Sequence, residues 1–172
     1  MKNILLLIVA LCMCYPVFSQ EVEKVKPDVK NEIKVNLLMT LLSFPDISYE
    51  RVWGNNFGLG LSVGFPIESN ETNLRVLPYT RFYFGDSPVK SFFIEASLAF
   101  EGYKKDYYSY DSYGSYASSK SQNDLDFGLG VSFGYKYVNS KGLIGELFLG
   151  LGRTFDRDNI YPRVGISLGK QF

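Results

Sequence analysis

Histidine is absent from the 172 residues, and with it go the usual general base and the commonest metal ligand. Cysteine is scarce: Cys12 and Cys14 are the only two, both inside an apolar N-terminal stretch. Neither sign of charge is in excess, with 18 basic and 18 acidic side chains. That balance argues against a nucleic-acid binder, which needs a basic face toward phosphates. No apolar run reaches the roughly 18 residues that a membrane-spanning helix requires. Tryptophan occurs once, whereas Tyr (13), Phe (14) and Gly (16) are abundant. The length fits a single domain.

The N-terminus reads as a targeting segment. Lys2 is basic, Ile4 to Cys14 is apolar, and Val17-Phe18-Ser19 resembles a cleavage site. Residues 1–19 are therefore expected to be a secretory signal peptide, cut before Gln20. Leu11 and Met13 precede the two cysteines, which argues against lipidation. The mature chain would have 153 residues, 17 basic against 18 acidic, and no thiol or disulfide. Export without a later apolar helix leaves a secreted protein, a periplasmic one or an outer-membrane barrel. Residues 20–31 (QEVEKVKPDVKN) are charged and contain Pro27, as in a flexible periplasmic leader. The folded domain is expected over residues 32–172.

From Glu32 onward the pattern has period two, the strand period. In residues 57–65 (FGLGLSVGF) the residues Phe57, Leu59, Leu61, Val63 and Phe65 share one face, opposite Gly58, Gly60, Ser62 and Gly64. Residues 127–135 (FGLGVSFGY) repeat that arrangement with six of nine positions identical. Residues 92–101, 143–152 and 164–172 alternate equally well. Three segments are less regular. Pro78 within 74–84 cannot donate a ladder bond, so a bulge or an edge position is expected there. Arg51 breaks parity in 46–53. Leu38 and Leu42 blur 32–42, where a short helix is the alternative. Of the connections between these eight segments, 54–56, 85–90 and 138–142 are turn-like; on the other side 66–72 and 103–122 are longer, while 43–45 and 156–159 are short. Short turns on one side and longer loops on the other match an outer-membrane barrel.

The faces opposite the apolar stripes combine Gly and Ser with Lys34, Glu50, Arg75, Arg81, Glu95, Glu101, Asp124, Asp126, Lys136, Glu146 and Arg163. An eight-strand barrel has room inside for side chains only. Small residues beside paired charges suit such an interior better than a water-facing surface. If the turn after the fourth segment is symmetric about Pro88, Arg81 faces Glu95, Tyr83 faces Phe93 and Tyr79 faces Ser97. Aromatic residues gather at segment ends on the apolar face. Trp53, Phe57, Phe84, Phe92, Tyr137 and Phe172 lie toward one end, and Phe65, Phe100 and Phe127 toward the other, as two interfacial girdles would.

The chain ends in an alternating strand with a C-terminal Phe172, VGISLGKQF. This resembles the signal recognised by the outer-membrane barrel assembly machinery, although Lys170 departs from the apolar residue common at that place. With the signal peptide and eight segments, residues 32–172 are similar to small Gram-negative outer-membrane β-barrel domains, OmpA/OmpX-like or of uncharacterised families. The resemblance implies an all-β, eight-stranded antiparallel up-and-down transmembrane barrel. It also implies membrane lipid and the assembly machinery as partners, and a monomer. It is architectural and brings no catalytic or binding residue with it.

The motifs point away from catalysis. The GxGxxxG runs at 58–64 and 128–134 are not the dinucleotide fingerprint, and each lies in a strand. Without His or Cys the mature chain lacks the familiar nucleophile arrangements, so neither an enzyme nor a cofactor is expected. Asp124, Asp126, Asp156 and Asp158 could gather at the outer rim around Ca²⁺, and a solvated rim is the plainer reading. The connection 103–122 carries Tyr103, Tyr107, Tyr108, Tyr110, Tyr113 and Tyr116 among six serines. That composition suits a recognition surface, which strands extended beyond the membrane would serve equally, or a flexible low-complexity loop. Two functions follow: a non-enzymatic outer-membrane barrel acting structurally or through its loops, or a narrow pore or small-ligand barrel, lipocalin-like if soluble.

Overall fold

The computed structural model describes residues 29–54, 56–67, 72–84, 90–110 and 116–172. The expected signal peptide and residues 20–28 of the leader lie outside these, as do residues 85–89 and Tyr113. Nine strand segments and one short helix follow in order: β1 (Val29–Asn36), α1 (Leu37–Leu41), β2 (Asp46–Trp53), β3 (Phe57–Gly64), β4 (Thr72–Phe84), β5 (Lys90–Tyr110), β6 (Tyr116–Val138), β7 (Leu143–Thr154), β8 (Ile160–Pro162) and β9 (Gly165–Gln171). Each strand pairs antiparallel with its sequence neighbour from β1 to β7.

The last two segments are one stave. Leu151 faces Pro162 and Phe148 faces Gly165, so the register against β7 is continuous across Arg163 and Val164. The Arg163 N–H donates to the Gly150 carbonyl at 2.9 Å within that gap. Pairing of β1 with β9, from Glu32 opposite Gln171 to Asn36 opposite Ser167, closes the sheet. The result is a closed, eight-stranded, up-and-down antiparallel barrel. Closure leaves no long free edge for another chain to pair with.

Several segment boundaries differ from expectation. The first stave begins at Val29, three residues before Glu32, and ends at Asn36. The rest of the expected strand is the helix α1, capped by the Asn36 side chain, which accepts from the Met39 N–H at 3.2 Å. Leu37, Leu38, Leu41 and Leu42 have helical spacing, which is why they blurred the alternation. Pro78 sits inside β4, flanked by β3 and β5. Pairing with β5 lapses at Leu77 and Pro78 but resumes in the same register, Val76 opposite Phe100 and Tyr79 opposite Ser97, so no bulge is needed. The missing donor is absorbed by a local gap in the ladder. Most of the expected loop 103–122 is strand: β5 and β6 continue as a paired ribbon to Tyr110 opposite Tyr116.

The burial pattern is inverted relative to a water-soluble barrel. Leu129, Val131, Phe133, Leu147, Leu149, Leu151, Ile166 and Leu168 point outward and are exposed, whereas Lys34, Glu50, Arg81, Glu95, Lys136 and Glu146 are buried. Arg51 is exposed, its guanidinium 5.5 Å from the Trp53 ring near the turn end. Aromatic pairs mark both ends of the outer face, Phe92 with Tyr135 at 5.0 Å and Phe100 with Phe127 at 5.4 Å.

Glycines on the inner face leave room for rings from neighbouring staves. A Cβ on Gly60 would fall within the Tyr79 ring, one on Gly134 within the Phe93 ring, and one on Gly152 within the Tyr161 ring. The Gly/Ser face is thus a set of sockets, and a methyl group there has nowhere to go. Gly145, on the outer face, has no atom within 4 Å of such a Cβ. Gly134→Ala is accordingly expected to destabilise the barrel by about 1–3 kcal/mol through overpacking. Gly145→Ala should stay within about 0.5 kcal/mol of the parent, as open surface positions do. Urea unfolding of both variants in lipid vesicles measures the difference. Equal stability would contradict the sockets.

Candidate functional site

Seven of the eight staves send charged side chains into the lumen, and β3 contributes the small residues that make space for them. Lys34 lies at the centre, its Nζ 2.5 Å from Glu50, 2.8 Å from Glu146 and 3.3 Å from Glu32. Arg81 spans the same carboxylates and the next one along, reaching Glu50 and Glu146 at 3.0 Å and Glu95 at 2.7 Å. Lys136 binds Glu32 at 2.9 Å. Arg163 joins Glu95 at 2.8 Å to Asp46 at 3.2 Å. The chain of ion pairs therefore runs without a break from Lys136 to Asp46.

Hydroxyls and rings complete this column. Tyr83 donates to Glu50 at 2.5 Å and Tyr79 donates to the same carboxylate at 3.3 Å. The Arg81 guanidinium lies 4.1 Å from the Phe93 ring centre, and Lys136 Nζ lies 4.0 Å from that of Tyr83. Such contacts favour a cation removed from water. A second cluster sits toward the outer mouth. Arg75 pairs with Glu101, and Arg157 bridges Glu101 at 2.6 Å and Asp126 at 3.2 Å while stacking on Tyr103 at 4.2 Å.

Of the eleven charges expected on the inner face, Lys34, Glu50, Arg75, Arg81, Glu95, Glu101, Asp126, Lys136, Glu146 and Arg163 are in these two clusters, whereas Asp124 is exposed at the mouth. The hairpin register is as expected, with Arg81 opposite Glu95, Tyr83 opposite Phe93 and Tyr79 opposite Ser97. Three members were missed. Glu32 shares the parity of Lys34 but stood at the presumed domain edge, and Asp46 shares the parity of Glu50. Arg157 lies in an irregular connection, where periodicity carries no signal.

Of the tyrosines, Tyr103 is not part of a loop: it is buried, and its hydroxyl lies 3.4 Å from Asp124. Tyr107, Tyr108, Tyr110 and Tyr116 belong to the paired ribbon, and their side chains lie outside the described residues. Phe172 pairs through its backbone with Asn31 at 2.9 and 3.0 Å.

The carboxylates do not present a ready cation site. Glu32, Glu50 and Glu146 are the one such group of three among the described residues, and the Lys34 ammonium already touches all three. At the rim, Asp126 accepts from the Asp156 and Arg157 backbone N–H groups at 3.0 and 3.3 Å. Asp158 accepts from Arg153 at 2.6 Å. Asp124, Asp126 and Asp158 each meet a different partner, and the four rim aspartates form no cation-sized group among the described residues.

A closed eight-stranded meander with apolar residues outside and ion pairs inside defines the class: the fold is that of the small outer-membrane β-barrels. Within that class the chain belongs to the family described as "Protein of unknown function (DUF3575)", whose profile matches residues 5–170. Among solved structures it is similar to the N-terminal β-barrel domain of OprF from Pseudomonas aeruginosa. That likeness has a TM-score of 0.57 and 16% identity, and covers 84% of this chain and 96% of that one. Neisserial surface protein A aligns at a TM-score of 0.47 and 14% identity, over 83% of this chain and 94% of that one. No curated protein matches the chain.

Arg81 should be the most sensitive position of the column, because three buried carboxylates share it and its loss leaves Lys34 and Arg163 alone to neutralise them. Arg81→Glu is expected to cost about 3–5 kcal/mol. The swap Arg81→Glu with Glu95→Arg should recover only part, since Glu50 and Glu146 are left with Lys34 alone beside a new carboxylate. Arg153→Ala, which breaks an exposed pair, should cost less than about 1 kcal/mol. Denaturant titration of the four proteins provides the comparison, and a swap no better than Arg81→Glu would contradict the Arg81–Glu95 pair.

Proposed function

We propose that the protein is a non-enzymatic integral barrel of a Gram-negative outer membrane, serving envelope structure or surface interaction through its outer ribbon. The observation that carries this reading is the inverted burial: a continuous apolar band outside and a column of ion pairs inside. In water such a surface would aggregate, since exposed apolar patches of this extent are interaction surfaces. In a bilayer it meets acyl chains, and the antiparallel ladder closes on itself through β1 and β9, so that the backbone pairs largely within the sheet. In this reading residues 1–19 direct export, Phe172 serves the assembly machinery, and the barrel is a monomer in lipid.

An open pore is disfavoured because the column fills the lumen. A soluble ligand carrier of lipocalin type requires the apolar face to point inward, the reverse of the arrangement here. The β5–β6 ribbon is the feature best suited to a surface role. It continues seven residue pairs past Tyr103 opposite Asp124, beyond the pairing of β4 and β7 with its flanks.

Two measurements test this. The protein should fractionate with outer membranes, require detergent for extraction and run as a heat-modifiable band on gels. A protein soluble without detergent and lacking that shift would overturn the reading. Deleting 105–120 should leave the shift intact, because Lys104 would still face Asn123 across a short turn. Loss of the shift would make the ribbon part of the folding core instead of a surface appendage.

A further inference from the structure

The exposed charges are divided unevenly between the two ends of the barrel. Asp124, Asp156 and Asp158, the exposed carboxylates among the described residues, all lie toward the mouth, where Arg153 pairs with Asp158. The turn end carries Arg51, Lys90, Lys141 and Lys170, all exposed, and among the described residues no exposed carboxylate side chain. Arg51, Lys90 and Lys170 share the parity of the apolar outer face, and Lys141 lies in the β6–β7 turn, so none belongs to the luminal column. Arg51 lies 5.5 Å from the Trp53 ring, and Lys90 Nζ lies 5.5 Å from that of Tyr137. Long cationic side chains beside interfacial rings reach toward lipid headgroups.

Three of these cations surround one position. Across the neighbouring staves Lys90 faces Tyr137, Tyr137 faces Gly145 and Gly145 faces Leu168. Lys170, two residues beyond Leu168, donates to the Lys141 carbonyl and so lies over the turn that carries Lys141. Gly145 points outward, and no atom lies within 4 Å of the place its Cβ would take. The outward row of β7, which is otherwise Leu143, Leu147, Leu149 and Leu151, is therefore interrupted by a notch. Lys90 is on one flank of it, Lys170 on the other and Lys141 below. Three strand spacings, about 14 Å, separate Lys90 from Leu168, and the lysine side chains narrow that span.

Beyond the notch, toward the mouth, the outer face holds a groove of about 760 Å³. Its lining includes Phe92, Ile94, Phe133, Leu147, Leu149 and Ile166, from the same four staves, and it reaches Leu38 and Val164 beside α1. The volume is within the roughly 300–1,000 Å³ of small-molecule sites. An apolar groove in a lipid-facing wall would accept any chain. Cations gathered at one end of it make one class of lipid fit better than the rest.

We propose that the groove and the three lysines form a site for a glycerophospholipid of net negative charge, in the leaflet on the turn side. One acyl chain lies in the groove, the glycerol passes the Gly145 notch, and the phosphodiester oxygens meet Lys90, Lys141 and Lys170. Charge complementarity selects this occupant: a zwitterionic headgroup brings a cation of its own toward the lysines, and an anionic one does not. The site rests on the membrane reading above.

The test uses the full mature barrel in equimolar phosphatidylcholine and phosphatidylglycerol vesicles, in which one lipid at a time carries brominated chains. Phe92→Trp, in a Trp53→Phe background, reports quenching in the groove. Leu61→Trp reports it on β3, the stave opposite β7. At Phe92→Trp the anionic lipid should be preferred by about fivefold or more, the contribution of one lysine near a charged surface. At Leu61→Trp the two lipids should quench alike. The preference should vanish when Lys90, Lys141 and Lys170 are all changed to Gln, survive when all three are changed to Arg, and fall with Gly145→Leu, which fills the notch and leaves the charges in place. Equal quenching at Phe92→Trp, the same preference at Leu61→Trp, or a preference unmoved by the Gln or Leu changes overturns the site alone, provided the protein is incorporated and heat-modifiable. Protein that does not incorporate at all overturns the membrane reading, and the site with it.

Discussion

The contact on which the rest of the structure depends is Lys34 among Glu32, Glu50 and Glu146, extended by Arg81 to Glu95. An ammonium or carboxylate removed from water is tolerated only when its charge and its hydrogen bonds are met on the spot. Glu32 shares β1 with Lys34, and the other members come from four further staves, β2, β4, β5 and β7. Pairing these charges and closing the barrel are therefore one event. A sheet opened at any seam would leave a cation or a carboxylate of the column short of a partner.

Space is the complementary constraint. A lumen of eight staves has no room for long side chains at every inner position. Large residues therefore alternate with none: Tyr79 over Gly60, Phe93 over Gly134, Tyr161 over Gly152. The strand β3, with Gly58, Gly60, Ser62 and Gly64 inside, contributes no charge and frees the volume that Glu50, Tyr79 and Phe44 occupy. Where the wall itself changes, at α1, the same rule holds, because Gly64 is the socket for Phe44. Packing and electrostatics are solved by one set of residues.

Much of this was legible from alternation alone. Parity separates Phe57, Leu59 and Leu61 from Gly58 and Gly60, and a single assumed turn centre sets Arg81 opposite Glu95. The failures have a common cause. Leu37 to Leu42 carry apolar residues at a spacing that serves helix and strand alike, so local pattern does not decide between them. The ribbon from Tyr103 to Gln122 lacks apolar alternation because no core faces it, and its strands are visible only through their mutual register. Arg157 reaches Glu101 and Asp126 from an irregular connection, where sequence distance says nothing about spatial distance.

The sequence by itself determined the period, the two opposed faces, the absence of histidine and the confinement of both cysteines to the N-terminal apolar stretch, since these depend on residue order and identity alone. Only the tertiary structure decided which carboxylate each cation meets, which ring fills each glycine, and that the first stave breaks into a helix beside Val164. Those outcomes depend on stagger and closure, which bring residues as distant as Lys34 and Glu146 within 2.8 Å. Period two says which way a side chain points. It does not say what is waiting there.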